Sequence, residues 1–203
     1  MAELIEGRIV ETDPAAGLKL LQMGFGLRME NGVALHWLEA AYLAERKRLE
    51  VNDGAKTLGW QDLIAEPAAD KKTKEKKTAE GKKPAAKKEK TDSSAPPHSA
   101  SSSLPLAPPR SEQYLIYRTL RASGRLVRFS SGSPLLWRVY EKGVGREQER
   151  PQMLLSIVPP NWSATIESLE RQLAVSRLLR LDLGMAFVRD GRPVMMKVSK
   201  PPI

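Results

Sequence analysis

The sequence predicts a protein of the α/β and α+β class. It has a small α+β N-terminal domain, a linker, and a C-terminal domain in which helices pack on a mixed sheet. Strand-like alternation and one apolar helical face occur together in residues 1–65. Residues 66–111 contain almost no large apolar side chain. In residues 112–203, helical and strand patterns follow in the order helix, two strands, strand, helix and hairpin, which is typical of a mixed sheet covered by helices.

The N-terminal domain is predicted to begin with a strand, LIEGRIVE at 4–11, because apolar and polar side chains alternate there. LKLLQMGFGLRMENG at 18–32 is interpreted as a second strand region, broken by glycines. A helix is predicted over 33–51, with a short one at 60–66. The longer helix has an apolar face at three- and four-residue steps, formed by Leu35, Leu38, Ala41, Tyr42 and Leu49. His36 near its start is interpreted as an ordinary, partly packed histidine.

Residues 66–111 are predicted to be a disordered linker. The first half is rich in lysine and the second half in serine and proline, so neither half buries enough apolar surface to offset the entropy of ordering. The lysines are interpreted as a solvated tether, with contact to nucleic-acid phosphates as the alternative.

The C-terminal domain is predicted to begin with a helix over 111–124, with Ser111 as its N-cap and Gly124 as its stop. Two strands separated by a Ser/Gly/Pro turn follow at 125–143, and a third lies at 153–160. A long helix over about 164–180, capped by Asn161 or Ser163, leads to a closing hairpin that turns at Asp190-Gly191.

Composition excludes several classes of function. The chain has no cysteine, so disulfides and thiolate metal sites are excluded, and its two histidines, His36 and His98, make a histidine metal centre improbable. It has no apolar run near 18 residues, and its acidic N-terminus lacks the apolar region of a secretory signal. The formal net charge is +9. We expect a basic, cytoplasmic protein with no cofactor, no metal and no membrane partner.

A resemblance to a known family rests on five segments of the chain. They occur in the family's order and together cover nearly the whole chain except the linker. They are ALHWLEAAYLAERKRLEV at 34–51, YLIYRTLRASGRLVR at 114–128, WRVYEKG at 137–143, MLLSIVPP at 153–160 and LGMAFVRDGRPVMMKVS at 183–199. These segments resemble, in family order, those of the archaeal tRNA-splicing (tRNA-intron) endonucleases. The resemblance implies metal-independent cleavage of precursor tRNA at bulge–helix–bulge junctions, which leaves a 2′,3′-cyclic phosphate and a 5′-hydroxyl.

The family's chemistry uses a tyrosine, a histidine and a lysine, and the resemblance transfers only the first. The tyrosine corresponds to Tyr140. The position of the histidine is taken by Arg150 or Pro151, and there is no histidine after His98. At the position of the lysine stands Leu179, Leu181 or Asp182, with Arg180 as the nearby cation. Acid–base groups contribute about 10² to 10⁴-fold each, and arginine does not release a proton near neutral pH. The resemblance therefore implies a non-catalytic structural subunit of a heterotetramer, paired with a catalytic subunit.

Two features of such an assembly are expected in the closing hairpin. Its last strand has Val194, Met196 and Val198 on one face and Met195 on the other, so it is apolar on both faces and is predicted to pair with a neighbouring subunit. Asp190 matches the family's acidic turn that docks into a partner, although Arg189 and Arg192 flank it.

Arginines are the predicted RNA ligands of the C-terminal domain, which has twelve arginines against three lysines. The candidates are Arg118, Arg121 and Arg125 as one stripe, with Arg128 and with Arg138 near Tyr140. A solvated face is the alternative for the stripe. For the whole chain, the alternatives are an active endonuclease that uses Tyr140 and a stand-alone RNA-binding protein on the same fold.

Overall fold

The computed structural model describes residues 1–5, 7–54, 56–65, 107–130, 133–143, 150–159 and 161–198. The predicted linker at 66–111, apart from residues 107–111, lies outside these ranges. Within the ranges, no helix is long and apolar enough to cross a membrane. The predicted class is confirmed: one mixed sheet with helices lies on each side of the linker segment.

The first part of the chain forms a six-stranded sheet and three helices. Its elements in chain order are β1 (Ala2–Ile5), β2 (Arg8–Glu11), α1 (Pro14–Gln22), β3 (Leu27–Met29), β4 (Gly32–Leu35), α2 (Trp37–Glu45), β5 (Val51–Asp53), β6 (Lys56–Leu58) and α3 (Trp60–Ile64). The strand order is β3-β4-β2-β1-β5-β6, and only the β1–β5 pair is parallel.

Two predictions for this part are wrong in the type of element. The segment predicted as a second strand region contains α1, because Asp13 caps the helix by accepting a hydrogen bond from the Ala15 amide and Pro14 occupies its first turn. The helix predicted from residue 33 begins only at Trp37. The preceding residues form β4, where Leu35 pairs with Ile9 of β2. The short helix at 60–64 and the strand regions at 2–11 are confirmed.

The second part forms a five-stranded sheet with two helices. Its elements are α4 (Arg110–Ala122), β7 (Val127–Ser130), β8 (Ser133–Tyr140), β9 (Pro151–Ile157), α5 (Ile166–Leu178), β10 (Asp182–Arg189) and β11 (Arg192–Val198). The order is β11-β10-β9-β8-β7, with β9 and β10 parallel and the other pairs antiparallel. The predicted element order and the hairpin turn are confirmed. The predicted caps are not: Pro109 is at the N-cap of α4, and Thr165 caps α5 through the Ser168 amide.

Both parts share one hydrophobic core. Tyr117 of α4 lies at its centre, with its ring edge-on to Tyr42 of α2 at 5.9 Å and edge-on to Trp137 of β8 at 6.2 Å. Trp137 and Tyr117 are fully buried. Aromatic pairs of this kind contribute about 0.5–1.5 kcal/mol each beyond their buried area. The α2 and α4 helices therefore join the two sheets into one compact unit.

Candidate RNA-binding and assembly sites

The positions that the resemblance assigns to the missing histidine and lysine meet in one cavity of about 570 Å³, here called the Arg150 cavity. It lies where β9 and β10 begin and α5 ends. The charged residues that line it are Glu141, Arg150, Arg177, Arg180 and Asp182. Among the described residues that line it there is neither a histidine nor a lysine.

Three cations against two carboxylates make the Arg150 cavity suited to an anion rather than to proton transfer. Asp182 already pairs with Lys197, whose Nζ lies 2.8 Å from its carboxylate. Arginine forks bind phosphate oxygens well but stay protonated at neutral pH. The cavity can hold a phosphate, but the histidine and lysine that the family uses for the chemistry are not among the described residues that line it.

Arg180 has a backbone conformation that is unusual for its type. Its φ is 54°, in the left-handed region. It lies just beyond the last turn of α5, where the Leu181 amide donates to the Ser176 carbonyl at 2.8 Å and the Arg180 amide donates to Arg177 at 2.9 Å. Helices commonly end in this way with glycine or asparagine. A long side chain at such a position costs backbone energy that glycine would not cost.

Tyr140, the one matching catalytic residue, does not line the Arg150 cavity. It is the last residue of β8, next to an irregularity in the pairing with β9, and it is only 7 % exposed. Although its backbone is the register partner of Pro151, Tyr140 lines a second cavity together with Arg138. The structure thus brings together Arg150 and Arg180 but not Tyr140 with them.

His36, the one histidine in the described ranges, has a structural environment. It is the N-cap of α2, and its Nδ1 accepts a hydrogen bond from the Leu38 amide at 3.3 Å. Its ring stacks on Phe129 of β7, with 3.7 Å between the ring centroids. Burial, with Arg110 as a lesser cause, lowers the pKa of His36 to about 4. A neutral ring that accepts at Nδ1 is an architectural group, as the sequence predicts.

The predicted arginine stripe on α4 is divided by its contacts. Arg118 pairs with Glu45 at 3.3 Å. Arg121 donates to the Met23 carbonyl at 3.1 Å and lies over the ring of Phe25. Arg125 donates to Gln152, which lines the Arg150 cavity, at 3.4 Å. Arg118 and Arg121 therefore contact the N-terminal part of the chain, and only Arg125 lies beside the Arg150 cavity.

The predicted assembly residues lie on the edge of the second sheet. The β11 strand is terminal in the strand order, with Met195 37 % and Met196 48 % exposed and with Val194 and Val198 half-buried. At the turn, Asp190 and Gly191 both have positive φ, and the Asp190 side chain projects into solvent 3.8 Å from Nε of Arg189. An unpaired, partly apolar edge strand is a ready template for strand addition.

Sequence reasoning missed two features of these sites. It did not foresee the contacts of Arg121 and Arg128 with backbone carbonyls about 100 positions earlier in the chain, since no local pattern signals them. It also missed Arg177 in the Arg150 cavity, which the spacing of Arg177 and Arg180 by three residues could have indicated. In the described part of the chain there is no group of three or more His, Asp or Glu side chains that could hold a metal ion.

Comparisons with known proteins agree with this architecture. Residues 1–64 match the family described as tRNA intron endonuclease, N-terminal domain. The tRNA-splicing endonuclease of Thermococcus onnurineus (strain NA1) is 25% identical over 171 residues, which is 84% of this chain and 77% of that protein. The tRNA-splicing endonuclease of Thermococcus kodakarensis is 25% identical over 170 residues, 84% of this chain and 78% of that protein. The N-terminal part of this chain is thus similar to the tRNA intron endonuclease N-terminal domain, and most of the chain is similar to two tRNA-splicing endonucleases.

Proposed function

We propose that this chain is a non-catalytic structural subunit of a heterotetrameric tRNA-splicing endonuclease. In this role it pairs with a catalytic subunit and helps to hold precursor tRNA during metal-independent intron excision in the cytoplasm. Residues 1–65 and 112–203 are its two domains, and residues 66–111 are the tether between them.

The observation that carries this proposal is the composition of the Arg150 cavity. Cleavage through the 2′-hydroxyl needs a base, an acid for the leaving oxygen and a cation for the phosphate. Arginines supply the cation, but Tyr140 lines another cavity and His36 is held as a helix cap. A subunit with this set of groups retains phosphate binding without proton transfer.

The edge strand β11 supports the assembly role. A strand edge with exposed Met195 and Met196 exposes apolar surface and unpaired backbone groups to water. In our proposal, the edge strand of the catalytic subunit pairs with β11, and Asp190 at the adjacent turn docks against a basic surface of the assembly.

The arginines support the RNA-binding role to different degrees. Arg125 and Arg138 are positioned beside cavities, whereas Arg118 and Arg121 have partners within the protein. We therefore assign RNA contact primarily to Arg125 and Arg138 of the sequence-predicted set, and add Arg150, Arg177 and Arg180.

A cleavage assay without added metal tests the proposal. The purified chain is incubated with a bulge–helix–bulge RNA alone, and then after mixing with the catalytic homologue from the same organism. We expect cleavage only in the mixture, together with co-elution of the two proteins. Cleavage by this chain alone would favour the active-endonuclease alternative. RNA binding with no stable partner would favour a stand-alone RNA-binding protein.

A further inference from the structure

A second cavity, of about 810 Å³, lies between the two sheets, and the proposed function uses only Arg138 of its lining. We call it the inter-sheet groove. One wall consists of β3, β4 and the start of α2, and the other of β7 and β8. Of the described residues, none lines both this groove and the Arg150 cavity. The two cavities are therefore separate candidate sites.

The inter-sheet groove concentrates positive charge. Arg8, Arg28, Arg128 and Arg138 line it, and the first two come from the N-terminal part, whose net charge is −3. Arg8, Arg28 and Arg138 are exposed, and within the described ranges they have no hydrogen bond or ion pair. Gathering like charges in one groove costs free energy that a bound anion recovers.

The acidic side chain in the groove offsets little of this charge. Both oxygens of Glu39 accept backbone hydrogen bonds, from the Gly26 amide at 3.1 Å and from the His36 amide at 3.0 Å. Burial raises the pKa of this carboxyl. The carboxylate is thus committed to the backbone, and its electrostatic partner among the arginines of the groove is Arg128 rather than Arg8, Arg28 or Arg138.

The groove also has an apolar surface open to solvent. Leu27 is 68 % exposed and Met29 41 % exposed, both on β3, which is the edge strand of the first sheet. Exposed apolar side chains beside arginines suit a nucleotide: its phosphates accept from arginine forks, and its bases stack on guanidinium planes and pack against apolar surface. An acidic peptide would use the charges but would leave the guanidinium planes without a stacked base.

We propose that the inter-sheet groove binds a single-stranded segment of RNA through Arg8, Arg28 and Arg138, with bases stacked on the guanidinium planes beside Leu27 and Met29. That the RNA is precursor tRNA rests on the proposed function. The groove would hold the strand at the junction of the two parts of the chain, away from the Arg150 cavity. The N-terminal part then has a direct role in RNA binding, despite its negative net charge.

Binding of a short single-stranded oligouridine to the full chain tests this inference, with a duplex of the same length as comparison. The test variant is R8Q/R28Q/R138Q. The control is K19Q/R48Q/R171Q, which loses the same charge at exposed positions outside the groove. We expect the test variant to weaken binding at least about tenfold and to reduce the slope of log K against log salt by about 2, at about 0.7 for each phosphate contact. The control variant should change both quantities much less.

Three results would overturn the inference: equal losses in the test and control variants, tighter binding of the duplex, or binding of a polyglutamate peptide in place of the oligouridine. The inference and the proposed function fail separately. If R8Q/R28Q/R138Q binds RNA normally while the chain still supports cleavage in the mixture, only the groove assignment is wrong. If the wild-type chain finds no catalytic partner but binds the oligouridine through the groove, only the proposed function is wrong.

Discussion

Arg121 of α4 lies over the ring of Phe25, with 3.9 Å between its guanidinium carbon and the ring centroid, and donates a hydrogen bond to the Met23 carbonyl at 3.1 Å. Arg121 and Phe25 are almost 100 positions apart in the chain. An arginine predicted from sequence as an RNA ligand thus joins the two sheets. Its contacts are a cation–π interaction and a charge-assisted hydrogen bond in a partly buried place, which are worth more than an exposed ion pair.

We predict that Arg121→Ala lowers the free energy of unfolding by about 1–3 kcal/mol, because it removes both contacts and the packing of the side-chain stem. Urea denaturation monitored by tryptophan fluorescence measures this. Arg118→Ala is the matched control: its pair with Glu45 is half-exposed, so its loss should cost less than about 1 kcal/mol. Equal effects of the two substitutions would contradict the structural role of Arg121.

The contact between His36 and Phe129 predicts a pH dependence of stability. The folded pKa of His36 is lowered to about 4, from an ordinary value of 6.5, so the unfolded chain binds the proton first as the pH falls. The stabilising contribution of the neutral ring is therefore complete above about pH 6.5 and is lost as the pH falls toward 4, by up to about 3 kcal/mol. Urea denaturation at a series of pH values measures it.

His36→Asn isolates this contribution, because asparagine still caps the helix but does not titrate. Subtracting its pH profile from that of the wild type also removes the opposite contribution of Glu39, whose pKa is raised by burial. If the two pH profiles are parallel between pH 4 and 6.5, folding does not lower the pKa of His36, and this prediction is wrong.

The left-handed conformation of Arg180 predicts a conflict between stability and RNA binding. Glycine relieves the strain at φ 54°, so Arg180→Gly should leave the free energy of unfolding unchanged or raise it by up to about 1 kcal/mol, while RNA binding weakens. Lys47 ends α2 in the same conformation, with φ 55°, and lies outside both the Arg150 cavity and the inter-sheet groove. Lys47→Gly should match the stability effect without the loss of RNA affinity. Similar RNA binding by both variants would remove Arg180 from the proposed site.

The edge strand β11 predicts that Met196→Lys prevents association with the catalytic subunit while the chain stays folded, since a lysine on an exposed edge blocks strand addition. Size-exclusion chromatography with light scattering on the mixed subunits measures the association. Leu18→Lys, which changes another exposed apolar residue on α1, is the control and should leave the complex intact. A stable complex with the β11 variant would show that the subunits meet elsewhere.

The sequence predicted the second sheet better than the first. Its strands are long, alternate clearly and end at turn residues such as Asp190-Gly191, so local pattern and final structure agree. In the first part, Leu35 lies three residues before Leu38, as on a helical face, and two residues after Val33, as on a strand, and pairing with β2 decides for the strand. The Asp13-Pro14 cap is a local sequence signal for the start of α1, but the prediction of a strand region there does not take it into account.

The sites were predictable only where one short segment forms them. The exposed apolar positions of β11 follow from alternation along one strand. The separation of Tyr140 from Arg150 could not be predicted in this way, because it depends on the face of the sheet that Tyr140 occupies and on the irregular pairing between β8 and β9. The inter-sheet groove combines Arg28 and Arg138 from distant segments, and no spacing in the sequence relates them.

The most direct test of the central claim asks which subunit supplies the chemistry in the mixed enzyme. Tyr140→Phe is introduced into this chain, and the tyrosine of the catalytic homologue is changed in a second preparation, with metal-free cleavage of a bulge–helix–bulge RNA as the readout. We predict that the Tyr140→Phe mixture cleaves at the wild-type rate and that the mixture with the altered homologue is inactive. A rate that falls at least about a hundredfold with Tyr140→Phe, the size of a lost acid–base group, would contradict the account.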